Sequence, residues 1–158
     1  LSFLPIASLP VRSGYLLPEP DPEEIVMKSA VTEISAAPSE IAREHFAAEF
    51  TFETDCWDVH DALAKGADFV LLDVRSPALF ARGHVPGATN LPHGKIIRSK
   101  MAAWPEDALF VTYCAGPHCN GAAHGALRLA ELGRPVKIMA GGISGWQDEG
   151  FELATGEI

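Results

Sequence analysis

Between Asp68 and Glu149 short apolar runs alternate with stretches of helical periodicity, and this alternation restricts the fold more than any other feature of the chain. Asp68-Phe-Val-Leu-Leu-Asp73, Ala88-Thr-Asn-Leu91, Ala108-Leu-Phe-Val-Thr-Tyr113 and Pro135-Val-Lys-Ile-Met139 read as strands. Pro77 to Arg82, Gly94 to Ala103, Asn120 to Leu132 and Ile143 to Glu149 read as helices, with Gly133 ending the third. Apolar strands separated by helices imply a mainly parallel sheet covered on both faces. The expected fold is therefore α/β, a three-layer domain with a central sheet of about five strands flanked by helices. In such sheets ligands bind beyond the carboxyl ends of the strands. Two loops lie there. One follows Asp73, and the other follows Tyr113 and begins with Cys114.

The chain of 158 residues has room for one core and some extra length. The extra length falls at the front. Residues 1–38 contain Pro5, Pro10, Pro18, Pro20, Pro22 and Pro38, a density that denies helix and ladder hydrogen bonds, so they read as an extended arm. Such an arm could tie two subunits into a homodimer. The opening stretch is apolar, but no basic residue precedes it and Pro5 and Pro10 interrupt it, which argues against a signal peptide. Residues 39–54 read as a helical extension, with Ser39 as N-cap and Ile41, Phe46 and Phe50 on one face. Asp55 caps a further helix, Trp57 to Ala64, which opens the domain proper over 55–152. Residues 153–158 form a tail.

The formal net charge is −9, so nucleic acid and anionic membrane surfaces are not expected as partners. No apolar run reaches the roughly 18 residues of a transmembrane helix. Three cysteines, Cys56, Cys114 and Cys119, are no disulfide framework. They suit free thiols in a reducing compartment, and a cytoplasmic location is expected.

The cysteine loop reads Val111-Thr-Tyr-Cys114-Ala-Gly-Pro-His-Cys119-Asn-Gly121. Strand leads to cysteine, then to a short glycine and proline loop, then to a helix N-terminus. That order offers a thiolate the unpaired N–H groups of a helix start and of a curled loop. A thiolate so placed is nucleophilic at neutral pH. Cys114 is the expected nucleophile. The loop of Ala115, Gly116, Pro117, His118, Cys119 and Asn120 is the expected anion cradle, through such backbone N–H groups as it carries, with Asn120 as helix N-cap. No metal and no organic cofactor is called for. A zinc site of Cys114, His118 and Cys119 lacks the paired ligand spacing of known sites.

Two further motifs accompany this loop. Leu71-Leu-Asp73-Val-Arg75-Ser-Pro-Ala-Leu-Phe80-Ala-Arg-Gly-His84-Val-Pro-Gly-Ala-Thr-Asn90-Leu-Pro lies upstream, and Gly141-Gly142-Ile-Ser-Gly145-Trp146 closes the domain. Together the three resemble the rhodanese-like domains, over about residues 55–152. The resemblance implies a thiosulfate sulfurtransferase-like enzyme. In that chemistry Cys114 takes a sulfur from thiosulfate or a protein persulfide, becomes a persulfide, and hands the sulfur to a thiol or cyanide acceptor. Rhodanese-like domains also persist as non-enzymatic interaction or regulatory modules after losing the cysteine, and retention of Cys114 argues against that here.

The loop departs from the commoner sulfurtransferase form C-x-x-G-x-R-S, with Cys119 at the arginine position and Asn120 at the serine position. Cysteine phosphatases and arsenate reductases of this fold use C-x5-R, whose arginine position is here Asn120, so oxyanion chemistry is disfavoured. Cys119 has two readings. It is a resolving thiol that forms a disulfide with Cys114, or a buried structural thiol, and the second is preferred because a tight nest points its side chains outward. His118 is either a source of positive charge or a solvated loop residue. Arg75 either steers anions to the pocket or braces the loops with Asp73, whose role reads as structural. His84 reads as a turn histidine bonded to backbone, Trp146 as a core anchor, and Cys56 as inert.

Overall fold

A computed structural model describes residues 29–156. Most of the proline-rich arm, residues 1–28, lies outside the described residues. Within the described part of the arm, Ala30–Glu33 form a single helical turn, α1, closed by the Ser29 N–H donating to Thr32 Oγ1 at 2.9 Å.

The remainder of the chain, from Pro38 onward, forms one compact unit. It opens with helix α2, Ser39–Phe52. Pro38 occupies the cap position and Ser39 is the first helical residue, so the expected Ser39 cap moves by one. The helix runs directly into strand β1, Glu53–Thr54, which pairs in parallel with β5, Val136–Met139. The sheet thus begins inside the segment expected to be only helical. Two residues are too few to show a strand period, and the pairing to β5 alone defines them.

Helix α3, Cys56–Lys65, follows, with Asp55 Oδ1 accepting from the Asp58 N–H at 2.8 Å and Gly66 closing it at φ 89°. Then come β2 Phe69–Asp73, α4 Pro77–Arg82, β3 Thr89–Asn90, β4 Leu109–Tyr113, α6 Gly121–Glu131, β5 and α7 Gly142–Asp148. The five strands lie in the order β1-β5-β4-β2-β3, and every pair is parallel. The expected α/β fold with a central parallel sheet of five strands flanked by helices is present. The stretch from Gly94 to Ala103, expected as one helix, is broken into a 3-10 turn His93–Lys95 and a single turn α5, Arg98–Met101. Ile96 and Ile97 between them are extended, and burial of Ile96 in the core holds the break open.

The strand period of two sorts side chains into two cores. Leu71, Val111, Tyr113 and Met139 face Cys56, Val59, Ile143 and Trp146 of α3 and α7. Leu72, Phe110 and Cys114 face Ala122 and Leu129 of α6, together with Ile96 and Met101. The even phase of β4 therefore carries Cys114 to the α6 side of the sheet. Helix α6 lies close, because a Cβ on Gly125 would come within 3.0 Å of Val74. Buried Thr112 donates from Oγ1 to the Ala122 carbonyl at 3.1 Å and pins the start of that helix.

A buried polar network fixes the carboxyl end of the sheet. Asp73 accepts from the Arg75 backbone N–H at 3.0 Å and from its guanidinium at 2.9 Å and 2.5 Å. Arg75 also donates to the Gly83 carbonyl at 2.7 Å. Asn90 Nδ2 donates to the carbonyls of Asp73 and Arg75, both at 3.0 Å. Tyr113 Oη accepts from the Val85 N–H at 3.1 Å. The chain beyond 152 joins this end too, since His84 and Ala154 form an antiparallel bridge and Trp146 Nε1 donates to the Glu152 carbonyl. Among the described residues no helix is long and apolar enough to cross a membrane.

Removing one member of a buried ion pair strands the other. Asp73→Ala is expected to lower the unfolding free energy by about 3–5 kcal/mol, read from urea denaturation followed by circular dichroism. A loss below about 1 kcal/mol would show that the pair is dispensable.

Candidate active site

Cys114 is the first residue beyond β4, the central strand of the sheet, and Tyr113 is in register with Asp73 on β2. Its side chain is only 6% exposed. The backbone of the loop is held from the other side by α7. The N–H groups of Ile143 and Ser144 donate to the carbonyls of Cys114 and Ala115 at 3.0 Å and 2.9 Å. That approach requires Gly142 to be glycine, since a Cβ there would collide with the Cys114 carbonyl, and its φ of 57° suits glycine. The closing Gly-Gly motif is thus the seat of the cysteine loop.

The loop then turns back on itself. The Cys119 N–H donates to the Gly116 carbonyl at 3.0 Å, and Cys119 is joined to Cys114 by a disulfide with the Cα atoms 6.2 Å apart. This corrects two expectations. Cys119 is not a structural thiol turned away from the nucleophile, and the cysteines are not all free. The one-turn hydrogen bond from residue 119 to 116 folds the side chain inward, where an open nest would have aimed it out. The cradle also changes. The Cys119 N–H is committed to Gly116 and Pro117 has no N–H, so neither joins an anion cradle.

Both sulfurs lie against the first turn of α6. A Cβ built on Gly121 would stand 2.9 Å from Cys114 Sγ and 3.3 Å from Cys119 Sγ. A negative charge at that point faces the unpaired N–H end of an 11-residue helix. Asn120 occupies the N-cap position without a side-chain bond to the helix, because its backbone (φ −83°, ψ 5°) is not in the extended conformation from which a cap side chain reaches the next turn. A cavity of about 240 Å³ opens beside the sulfurs, lined by Cys114, Gly116, Pro117, Cys119, Met139 and Gly142 among others. Among the described residues its one charged lining residue is Glu53, at the β1 edge.

The other expected site residues fall elsewhere. Arg75 was weighed as an anion guide, but it is buried in the Asp73 network and is not part of the cavity wall. Burial works against its charge, yet the hydrogen bond and charge of Asp73 outweigh burial and hold its pKa above the ordinary value. His84 is buried, stacked on Phe80 at 3.7 Å between ring centroids, with Nδ1 2.9 Å from the Phe80 carbonyl. His118, Ala115, Pro117 and Asn120 are exposed. Cys56 is buried beneath the turn into α7, with Sγ 3.4 Å from the Ala140 carbonyl. Burial, with the charges of Asp55 and Glu149, pushes its thiol up to about 11. Sequence reasoning assigned no role to Asn90, Tyr113 or Glu53. Asn90 lay within a quoted motif, but its bonds to two backbone carbonyls depend on the loop path.

A model of the rhodanese-like domain matches residues 57–149. The chain belongs to the rhodanese-like domain family. Among known proteins it is 31% identical to a sulfurtransferase of Allochromatium vinosum, over 66% of this chain and 96% of that protein. It is 32% identical to the HTH-type transcriptional regulator Rv0324 of Mycobacterium tuberculosis, over 58% of this chain and 40% of that longer protein. The crystal structure of the BH2092 protein from Bacillus halodurans superposes with a TM-score of 0.72 at 32% identity, covering 75% of this chain and 87% of that one. The rhodanese-like domain therefore accounts for the sheet, the cysteine loop and the Gly-Gly seat together.

Two outcomes are expected at this site. After reduction, alkylation at pH 7.5 should modify Cys114 and Cys119 and spare Cys56, which becomes reactive only as the pH approaches about 11. Peptide mass mapping reads this directly, and rapid labelling of Cys56 at neutral pH would contradict its placement. Gly121→Ala should slow alkylation of Cys114 by roughly tenfold, because the new methyl displaces its sulfur from the helix start.

Proposed function

We propose that the chain is a sulfurtransferase in which reduced Cys114 accepts a sulfane sulfur as a persulfide and passes it to a thiophilic acceptor, a thiol or cyanide. One observation carries this reading. The Cys114 sulfur stands at the wall of a small cavity, on the first turn of α6, at the carboxyl end of the central strand. The kinship with a protein named sulfurtransferase over 96% of that protein's length supports it. No step requires a metal or an organic cofactor. The Cys114 thiolate attacks the outer sulfur of the donor, and as the new S–S bond forms the donor's own bond to that sulfur breaks, its remaining group leaving with the bonding electron pair. Two half-reactions through a covalent intermediate give ping-pong kinetics.

The donor class follows from the lining. Thiosulfate is a dianion, and the one charged group in the cavity wall is the carboxylate of Glu53. A persulfide on a small thiol or on a protein suits this wall better. Tetrahedral oxyanions are disfavoured for the same reason, since positions 119 and 120 carry Cys and Asn where an arginine fork would stand.

With the protein reduced beforehand, thiocyanate formation from cyanide should be lost by at least about a hundredfold in Cys114→Ser. Cysteine persulfide should exceed thiosulfate as donor in kcat/KM by about tenfold or more. Glu53→Gln should raise kcat/KM for thiosulfate by roughly two- to fivefold, a modest gain because Glu53 is exposed and screened. Equal turnover by wild type and Cys114→Ser would overturn the assignment.

A further inference from the structure

We propose that Cys119 is a resolving nucleophile, which gives the site a second activity: it releases the sulfur held on Cys114 as sulfide without any external acceptor. This rests on the persulfide reading of Cys114.

Four observations converge. The two sulfurs are within bonding reach, as their disulfide shows. The reach is built into the loop, because the Cys119 N–H bond to the Gly116 carbonyl closes the turn that brings residue 119 back over residue 114. Space for both sulfurs is made by the missing side chain of Gly121, which a Cβ would fill to within 3.3 Å of either one. Finally, Cys119 lines the same cavity as Cys114 and is half-buried. Cys56, the third thiol, belongs to the opposite core.

The step balances as follows. Cys114 carries Sγ bonded to an outer sulfur. The Cys119 thiolate attacks Cys114 Sγ, and a Cys114–Cys119 bond forms as the bond to the outer sulfur breaks. The outer sulfur leaves with the electron pair as hydrosulfide and takes the proton that Cys119 gave up. In this step Cys119 Sγ is oxidised by one electron and the outer sulfur is reduced by one, while Cys114 Sγ stays at the disulfide level; over loading and release together, a sulfane sulfur gains two electrons and each cysteine sulfur loses one. The product is the disulfide seen in the structure. A dithiol reductant then exchanges with it, becoming a disulfide itself and restoring two thiols. The sum is reduction of a sulfane sulfur to sulfide at the expense of a dithiol. Attack on the inner sulfur is favoured by placement, since the position Cys119 occupies is the one bonded to Cys114 Sγ.

The test is a single turnover of the full chain. Protein is reduced with dithiothreitol, freed of reductant, and mixed with one equivalent of cysteine persulfide, with no other thiol present. Wild type should release about one equivalent of sulfide and acquire a Cys114–Cys119 linked peptide. Cys119→Ser and Cys119→Ala should instead hold the added sulfur, a gain of about 32 Da on Cys114, and release sulfide at least about tenfold more slowly. If wild type holds the added sulfur as long as these variants do, Cys119 does not resolve it and the proposal is overturned. If neither variant takes up sulfur while both remain folded by circular dichroism, the persulfide reading fails, and this proposal with it.

Discussion

The buried carboxylate of Asp73 is the hub of the polar network at the carboxyl end of the sheet. It closes on the backbone and guanidinium of Arg75, and Arg75 in turn holds the Gly83 carbonyl. Asn90 spans the same turn by donating to two of its carbonyls. These bonds fix the path of the segments that enter and leave α4 between β2 and β3. Tyr113 lies across this network, in register with Asp73 and 5.9 Å from the Arg75 guanidinium carbon to the ring centre. Its phenol is kept neutral, because burial and the charge of Asp73 push its pKa upward. The residue after Tyr113 is Cys114. The proposed nucleophile thus follows directly on the residue that ties β4 into this network.

A second constraint holds the loop from the opposite side. The first N–H groups of α7 are spent on the carbonyls of Cys114 and Ala115. They are therefore not anion donors. They are the clamp that leaves α6 as the helix whose N-terminal end faces the sulfur. This divides labour between two helix starts. One secures backbone, and the other faces the Cys114 sulfur. Cys56 packs its sulfur against the carbonyls entering α7 and supports the clamp, which explains a buried thiol with no chemistry of its own.

The strands Phe69–Asp73, Leu109–Tyr113 and Val136–Met139 were legible because their apolar runs exceed what a loop would carry. Strand β1 was not, since Glu53 and Thr54 have no period to read and gain their strand character from β5. The break near Ile96 was hidden for a similar reason. Its cause is a pocket beneath α6 that exists only once the sheet is formed. At the site, Cys114 stood out by its order of strand, cysteine, loop and helix. The fate of Arg75 and Cys119 did not, because each had two partners or directions open to it. The choice was made by burial for Arg75 and by one backbone hydrogen bond for Cys119.

Position 119 carries a thiol where the commoner sulfurtransferase loop form carries an arginine. An arginine at 119 would bring a fixed positive charge to the loop and hold an anionic donor or product there. A thiol at 119 withdraws that attraction and supplies electrons in its place. With Glu53 in the cavity wall, the proposed hydrosulfide leaving group meets no cation among the described lining residues, which favours departure over retention. On the proposed chemistry, the thiol at 119 that leaves the pocket poor at gathering thiosulfate also suits it to expelling sulfide. In the proposed cycle the site discharges sulfur where it would otherwise hold it for an incoming acceptor, and the redox state of the Cys114–Cys119 pair decides whether another sulfur can be loaded.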